Sequence, residues 1–160
     1  MPEIRPIEAN ELPDCLHVIR TSFGTVADML QLTKERCPRH PAFMNLSLLE
    51  KRLAEGWQMF GLFENHTLIG YYSLSKGEDG AAALHNLSIL PDCRESGYGR
   101  MLLEFCAAQA KAAGYEKIAL EIIEENHSLK AWYLRQGYRH LKTLSLPDLP
   151  FTIGFMEKDL

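Results

Sequence analysis

Disulfide and metal frameworks are missing from this sequence. Its four cysteines, Cys15, Cys37, Cys93 and Cys106, are irregularly spaced, and none stands in a C-x-x-C pair. That spacing excludes both a disulfide scaffold and a zinc-finger pattern, so free thiols are expected. The six histidines are equally dispersed, and no metal is expected. Basic excess is missing too: the net charge is −4, with lysines and arginines scattered among acids. A duplex-binding face needs the opposite balance, so no nucleic-acid partner is expected. No apolar run approaches the length of a membrane span, and Met1 to Arg5 lacks the basic-then-apolar order of a secretory leader. The expected location is cytoplasmic, without a membrane partner. No repeat or low-complexity tract occurs, and 160 residues suffice for one domain, residues 1–160, with its own core.

The regular elements follow from hydrophobic period and turn chemistry. Ile4–Ile7 reads as a strand, and from Asn10 a helix carries Leu12, Cys15, Leu16, Ile19 and Phe23 at helical spacing. Gly24 to Phe43, with Cys37-Pro38 and His40-Pro41, reads as irregular chain with a helical turn. Ser47 is the expected cap of a helix through Ala54. Met59–Phe63 and Leu68–Ser75 read as a hairpin turning at Glu64-Asn65-His66. Ala82–Leu90 is the expected central strand, Gly97–Ala113 a helix stopped by Gly114, and Lys117–Ile122 the next strand. Asn126 caps a helix through Gln136, and Tyr138–Leu146 and Phe151–Met156 finish the chain as strands.

The segment Arg94-Glu95-Ser96-Gly97-Tyr98-Gly99-Arg100 stands between the central strand and a helix. Two glycines there permit a tight turn in which successive amides converge on one anion, and the helix that follows adds unpaired N–H groups and a positive dipole end. Arg94 and Arg100 flank the pair; each is either a phosphate contact or a solvated surface side chain. A Rossmann dinucleotide site is disfavoured because the third glycine position is Leu102 and because Pro91 to Ser96 separate strand from glycine, although Glu121 falls about twenty residues on, where a ribose-binding acid would sit. A P-loop is excluded, since the glycines are followed directly by Arg100 and Met101 and not by lysine and serine or threonine.

Arg94, Gly97 and Gly99 meet the fixed positions of a motif read as glutamine or arginine, two residues, glycine, one residue, glycine or alanine. Asn126, Tyr133, Gly137 and Tyr138 meet a second motif in the same order. With Leu87 to Pro91 preceding the first motif, the chain resembles the GCN5-related N-acetyltransferase (GNAT) superfamily over nearly its whole length. Glu95 and Ser96 depart from it, at positions often basic or glycine. The resemblance implies an α/β fold, a mixed sheet of about six or seven strands flanked by about four helices.

It also implies chemistry. Acetyl-CoA is the expected cosubstrate, its diphosphate on Arg94 to Arg100 and its pantetheine beside Leu87, Ser88 and Ile89, with Asn126 and Tyr133 completing the coenzyme site. The Ile89 amide is the candidate donor to the thioester oxygen. Tyr133 is the implied general acid for the departing thiolate, against the plainer reading of a core aromatic. A lysine-like amine has a pKa of about 10.4, so its attack needs a proton acceptor. Glu121, five residues before Asn126, resembles the glutamate base of the ribosomal-protein alanine acetyltransferases; the competing reading is a strand-end carboxylate on a loop with Glu124 and Glu125. His85 is the other candidate, with a hydrogen-bonded core or edge histidine as the favoured alternative. The expected reaction is N-acetylation of a primary amine on a small molecule or peptide by direct attack in a ternary complex, by a monomer or homodimer. The other function class is a non-catalytic acyl-CoA sensor with the same cradle.

Overall fold

The computed structural model describes residues 1–160. Seven strands form one sheet: β1 (Glu3–Pro6), β2 (Gln58–Glu64), β3 (Thr67–Lys76), β4 (Ala81–Ile89), β5 (Lys117–Ile123), β6 (Arg139–Ser145) and β7 (Thr152–Asp159). Their spatial order is β1-β2-β3-β4-β5-β7-β6, and only β4 and β5 run parallel. A parallel pair needs a crossover, supplied here by helix α3 (Tyr98–Ala112). The other α-helices are α1 (Leu12–Leu30), α2 (Leu46–Ala54) and α4 (His127–Arg135). None is long and apolar enough to cross a membrane.

Strand alternation sorts the core onto two faces. On one face Leu68 and Tyr71 of β3 and Met59 of β2 pack with Cys15, Val18 and Ile19 of α1 and Leu49 of α2. On the other, Tyr72 and Leu74 of β3, Ala82 and Leu84 of β4 and Ile118, Leu120 and Ile122 of β5 pack with Leu102 and Cys106 of α3 and Tyr133 of α4.

Two local expectations need correction. Gly24 does not end α1, which runs to Leu30 and closes on left-handed Gln31. An interior glycine costs about 1 kcal/mol, and burial of Ala27 with Leu32, Cys37 and Ala42 under Phe23 outweighs it. Asn45, not Ser47, caps α2: its side chain accepts from Leu48 N at 3.0 Å, while the Ser47 hydroxyl donates to Asn45 Oδ1 at 2.7 Å. The remaining elements appear where period and turn residues put them, to within a few residues at their ends.

Candidate active site

β4 and β5 part company early. They pair only at Ala81 with Lys117, Ala82 with Ile118 and Ala83 with Ala119, yet both continue for several residues. A bulge turns β4 away: its pairing with β3 slips between Tyr71 and Ser73, where Asn86 is left-handed at φ 54°. Asparagine tolerates that conformation. The Asn86 side chain accepts from Arg52 Nη1 of α2 at 3.0 Å, and its carbonyl accepts from the Ser88 hydroxyl at 2.7 Å. Beyond the bulge the Leu90 amide donates to Ile69 O of β3. By strand alternation the Ile89 amide therefore points the other way, into the opening beside β5.

That opening belongs to a cavity of about 730 Å³ lined by α1, β4, the start of α3, β5 and α4. At its α3 end lies an anion nest. Glu95 at φ 65° and Gly97 at φ 81° are both left-handed. No backbone or side-chain acceptor within the chain takes the amides of Glu95, Ser96, Gly97, Tyr98, Gly99 or Arg100; the first amide used is Met101 N, which donates to Gly97 O. Six consecutive free donors at a helix N-terminus form a ready anion site. Gly97 serves the backbone angle, whereas Gly99 serves packing: a Cβ there would stand 3.3 Å from the Trp132 ring of α4.

Arg94 is not the solvated surface side chain of the plainer reading: it lines the cavity and is anchored within the fold. Its guanidinium donates to Ser22 O at 2.9 Å, Ser22 Oγ at 3.0 Å and Thr25 Oγ1 at 3.1 Å on α1, and its Nε to Ile89 O at 3.3 Å. It lashes the nest to α1 and the end of β4. Arg100 pairs with Glu104 one helical turn on.

Glu121 and Tyr133 reach the opening from opposite faces. Leu120 and Ile122 belong to the α3 face, so Glu121 between them projects to the α1 face, as does Ile123, which packs with the Ala27 cluster. Glu121 is exposed, in no ion pair, and on the cavity wall. Tyr133 lines the same cavity from α4, and burial pushes its phenol well above the ordinary range, so it stays protonated and able to donate. Asn126 caps α4, its side chain accepting from Leu129 N at 3.4 Å, and also lines the cavity.

The other titratable candidates are engaged elsewhere. His85 Nε2 is hydrogen-bonded to Ser75 Oγ at 2.8 Å, and its ring lies 4.3 Å from that of Trp57, outside the cavity. Burial, aided by Arg52, pulls its imidazole down to about 4. Glu124 is held by Lys130 and His140, and Glu125 accepts from Thr152 N at 2.8 Å. Glu124 is therefore neutralised within the fold and Glu125 holds the β7 backbone, whereas Glu121 has no partner and lines the cavity. Burial raises the Cys106 thiol to about 12, which suits a structural thiol. Cys93 lies outside the cavity lining.

The fold thus gathers Leu87, Ser88, Ile89, Arg94, Glu95, Gly97, Tyr98, Gly99, Arg100, Glu121, Asn126 and Tyr133 around one cavity; Ser96 contributes its amide to the nest but does not line the wall. Asn86, Trp132 and the Ser22 to Met29 face of α1 line it as well. Asn86 carried a signal, an asparagine inside an apolar strand. The α1 face carried none, because Gly24 concealed the helix.

The chain matches the acetyltransferase (GNAT) family over residues 26–138. No curated protein matches it. Its fold is shared by PaiA N-acetyltransferase of Thermoplasma acidophilum, solved in complex with coenzyme A (TM-score 0.79, 20% identity, 100% of this chain and 99% of that one). It is shared too by the ribosomal-protein-S18-alanine N-acetyltransferase of Escherichia coli (TM-score 0.78, 19% identity, 99% of this chain and 94% of that one). IAA acetyltransferase of Bacillus cereus is a further relative in fold, with a TM-score of 0.72 at 13% identity over the full length of both chains.

Proposed function

Because the chain belongs to the acetyltransferase (GNAT) family, we propose that it transfers the acetyl group of acetyl-CoA to a primary amine by direct attack in a ternary complex. The observation that carries this reading is the run of free amides from Glu95 to Arg100 at the mouth of the opening between β4 and β5. Acetyl-CoA supplies an activated thioester, and the residues present fit it. The nest holds the diphosphate with backbone donors. The unpaired edge of β4 at Leu87 to Ile89 pairs with the pantetheine, and Asn126 and Trp132 wall it from α4.

The protein's own groups then divide the proton chemistry by face. The Ile89 amide, preorganised by the bulge, donates to the oxygen that gains charge. Glu121 takes the proton of the amine on the α1 face, and Tyr133 returns one to the departing sulfur on the α3 face. Proximity in the shared cavity provides much of the acceleration. His85 is set aside as base because its nitrogen is committed to Ser75 and its ring stands outside the cavity.

The test is a calorimetric titration with acetyl-CoA, followed by thiol release in the presence of an amine panel. Saturable binding together with amine-dependent release supports the reading. Binding without release for any amine supports the acyl-CoA sensor instead, and absence of binding overturns both.

A further inference from the structure

The sheet beyond Glu121 has one face that no helix covers. On the α3 side, β5, β7 and β6 are packed through Ile122, Met156 and Tyr138 beneath α4. On the α1 side, Ile153 and Phe155 of β7 join none of the three buried clusters, although both are only partly exposed. Leu144 and Leu146 at the β6 edge are each 42% exposed. The register aligns these residues with Glu121. Phe155 stands opposite Glu121 on one side and opposite Lys142 on the other, while Ile153 stands between Ile123 and Leu144. Directly opposed residues share a face. The Lys142 ammonium lies 5.1 Å from the Phe155 ring centroid, which puts both on that face. Lys142 is exposed and joins no ion pair.

A single row thus reads carboxylate, aromatic, ammonium, with an apolar row beside it. Neighbouring strands are spaced about 4.8 Å apart, so the backbones of Glu121 and Lys142 stand about 10 Å apart across the row. Each charge specifies its opposite on a ligand. The aromatic between them specifies an apolar body, and the spacing specifies a length. A free α-amino acid carries amine and carboxylate on one carbon and cannot span the row. An extended peptide advances about 3.3 Å per residue, so its terminal amine at Glu121 puts the third residue near Lys142.

We propose that the acceptor is a peptide N-terminus, apolar in its first residue and acidic at about its third, laid across Phe155 with its acid on Lys142. This rests on the reading of the cavity as an acetyl-transfer site. Lys142 and Phe155 set specificity, and Glu121 receives the amine. The neighbouring Ile153 and Leu144 extend the apolar bed.

The experiment measures kcat/KM for acetyl transfer to two blocked tetrapeptides, phenylalanine-alanine-aspartate-alanine amide and the same peptide with lysine third. An exposed ion pair is worth up to about 1 kcal/mol and a like-charge contact costs a similar amount, so the aspartate peptide should lead by about fivefold or more. Lys142→Glu should invert that order, and Phe155→Ala should raise KM for both peptides while the acetyl-CoA dissociation constant holds. A ratio near one, or a ratio unchanged in Lys142→Glu, overturns the proposal. So does better turnover of putrescine or free phenylalanine than of either peptide, an outcome that leaves acetyl transfer standing. Light scattering supplies a second check, because a dimer that Leu144→Asp dissociates would place a second copy on this face. Failure of acetyl-CoA to bind overturns both readings together.

Discussion

Arg52 of α2 and Asn86 of β4 are joined by a 3.0 Å hydrogen bond across 34 residues of sequence. The same guanidinium lies 4.4 Å from the centroid of the Trp57 ring, which in turn packs against His85 at a tilt of 31°. A helix on the α1 side of the sheet therefore holds the left-handed residue that turns β4 away from β5. The opening is maintained by tertiary contact as well as by strand geometry.

Arg52→Ala should relax that bulge. Loss of one charge-assisted bond and one cation–π contact is expected to cost about 2 kcal/mol in stability. Denaturant titration checks the stability, and the KM for acetyl-CoA should rise more than kcat falls, because the β4 edge proposed to pair with the coenzyme loses its aim.

Gly97→Ala tests the nest. Nothing lies within 4 Å of a Cβ built there, so the cost is conformational, about 1–2 kcal/mol for an L residue held at φ 81°. Relief of that strain closes the amide cradle. Acetyl-CoA affinity measured by calorimetry should fall about tenfold or more, the equivalent of that strain.

Arg94→Ala should act first on stability. Four hydrogen bonds to Ser22, Thr25 and Ile89 are lost, including two to backbone carbonyls. A drop of about 2 kcal/mol is expected from the shift of the denaturation midpoint.

Tyr133→Phe should lower kcat by about 10²-fold or more, the scale of general acid catalysis, with coenzyme affinity little changed. Single-turnover thiol release separates the two. Glu121→Gln should lower kcat/KM by about 10²-fold or more, the scale of general base catalysis; a value near that of the unaltered protein would assign the base to another residue or to water.

Acid should destabilise the fold through His85. Its imidazole titrates near 4 when folded against an ordinary 6.5, so between those values the unfolded chain binds the extra proton. Stability is fully present above that window and declines as the pH falls through it, by about 3 kcal/mol at most. His40, buried beside Phe23 and Phe43, is shifted in the same direction. Urea midpoints at about pH 7 and about pH 4.5 check the sign, and His85→Gln should flatten the difference.

Much of the fold was legible because its signals are local. Alternation marked the strands around Glu64-Asn65-His66, and Gly114 and Gly137 marked helix ends with φ of 91° and 92°. The α1 boundary was not legible, since the penalty of Gly24 is local whereas the burial of Ala27 depends on residues as far away as Phe151. The nest was legible in outline from Gly97 and Gly99, but the left-handed Glu95 was not, because only the completed loop holds it there.

The linear order of residues determined the anion nest of this protein. Strand, nest and helix are consecutive, so the glycines, the free amides and the dipole end are neighbours in the chain before they are neighbours in space. Tertiary structure decided the rest. It spent Arg94 on Ser22 and Thr25, spent Glu124 on Lys130 and His140, left Glu121 free, and aligned Glu121, Phe155 and Lys142 across three strands. Those choices depend on register and on which charges meet, and register is a property of paired strands that no single strand contains.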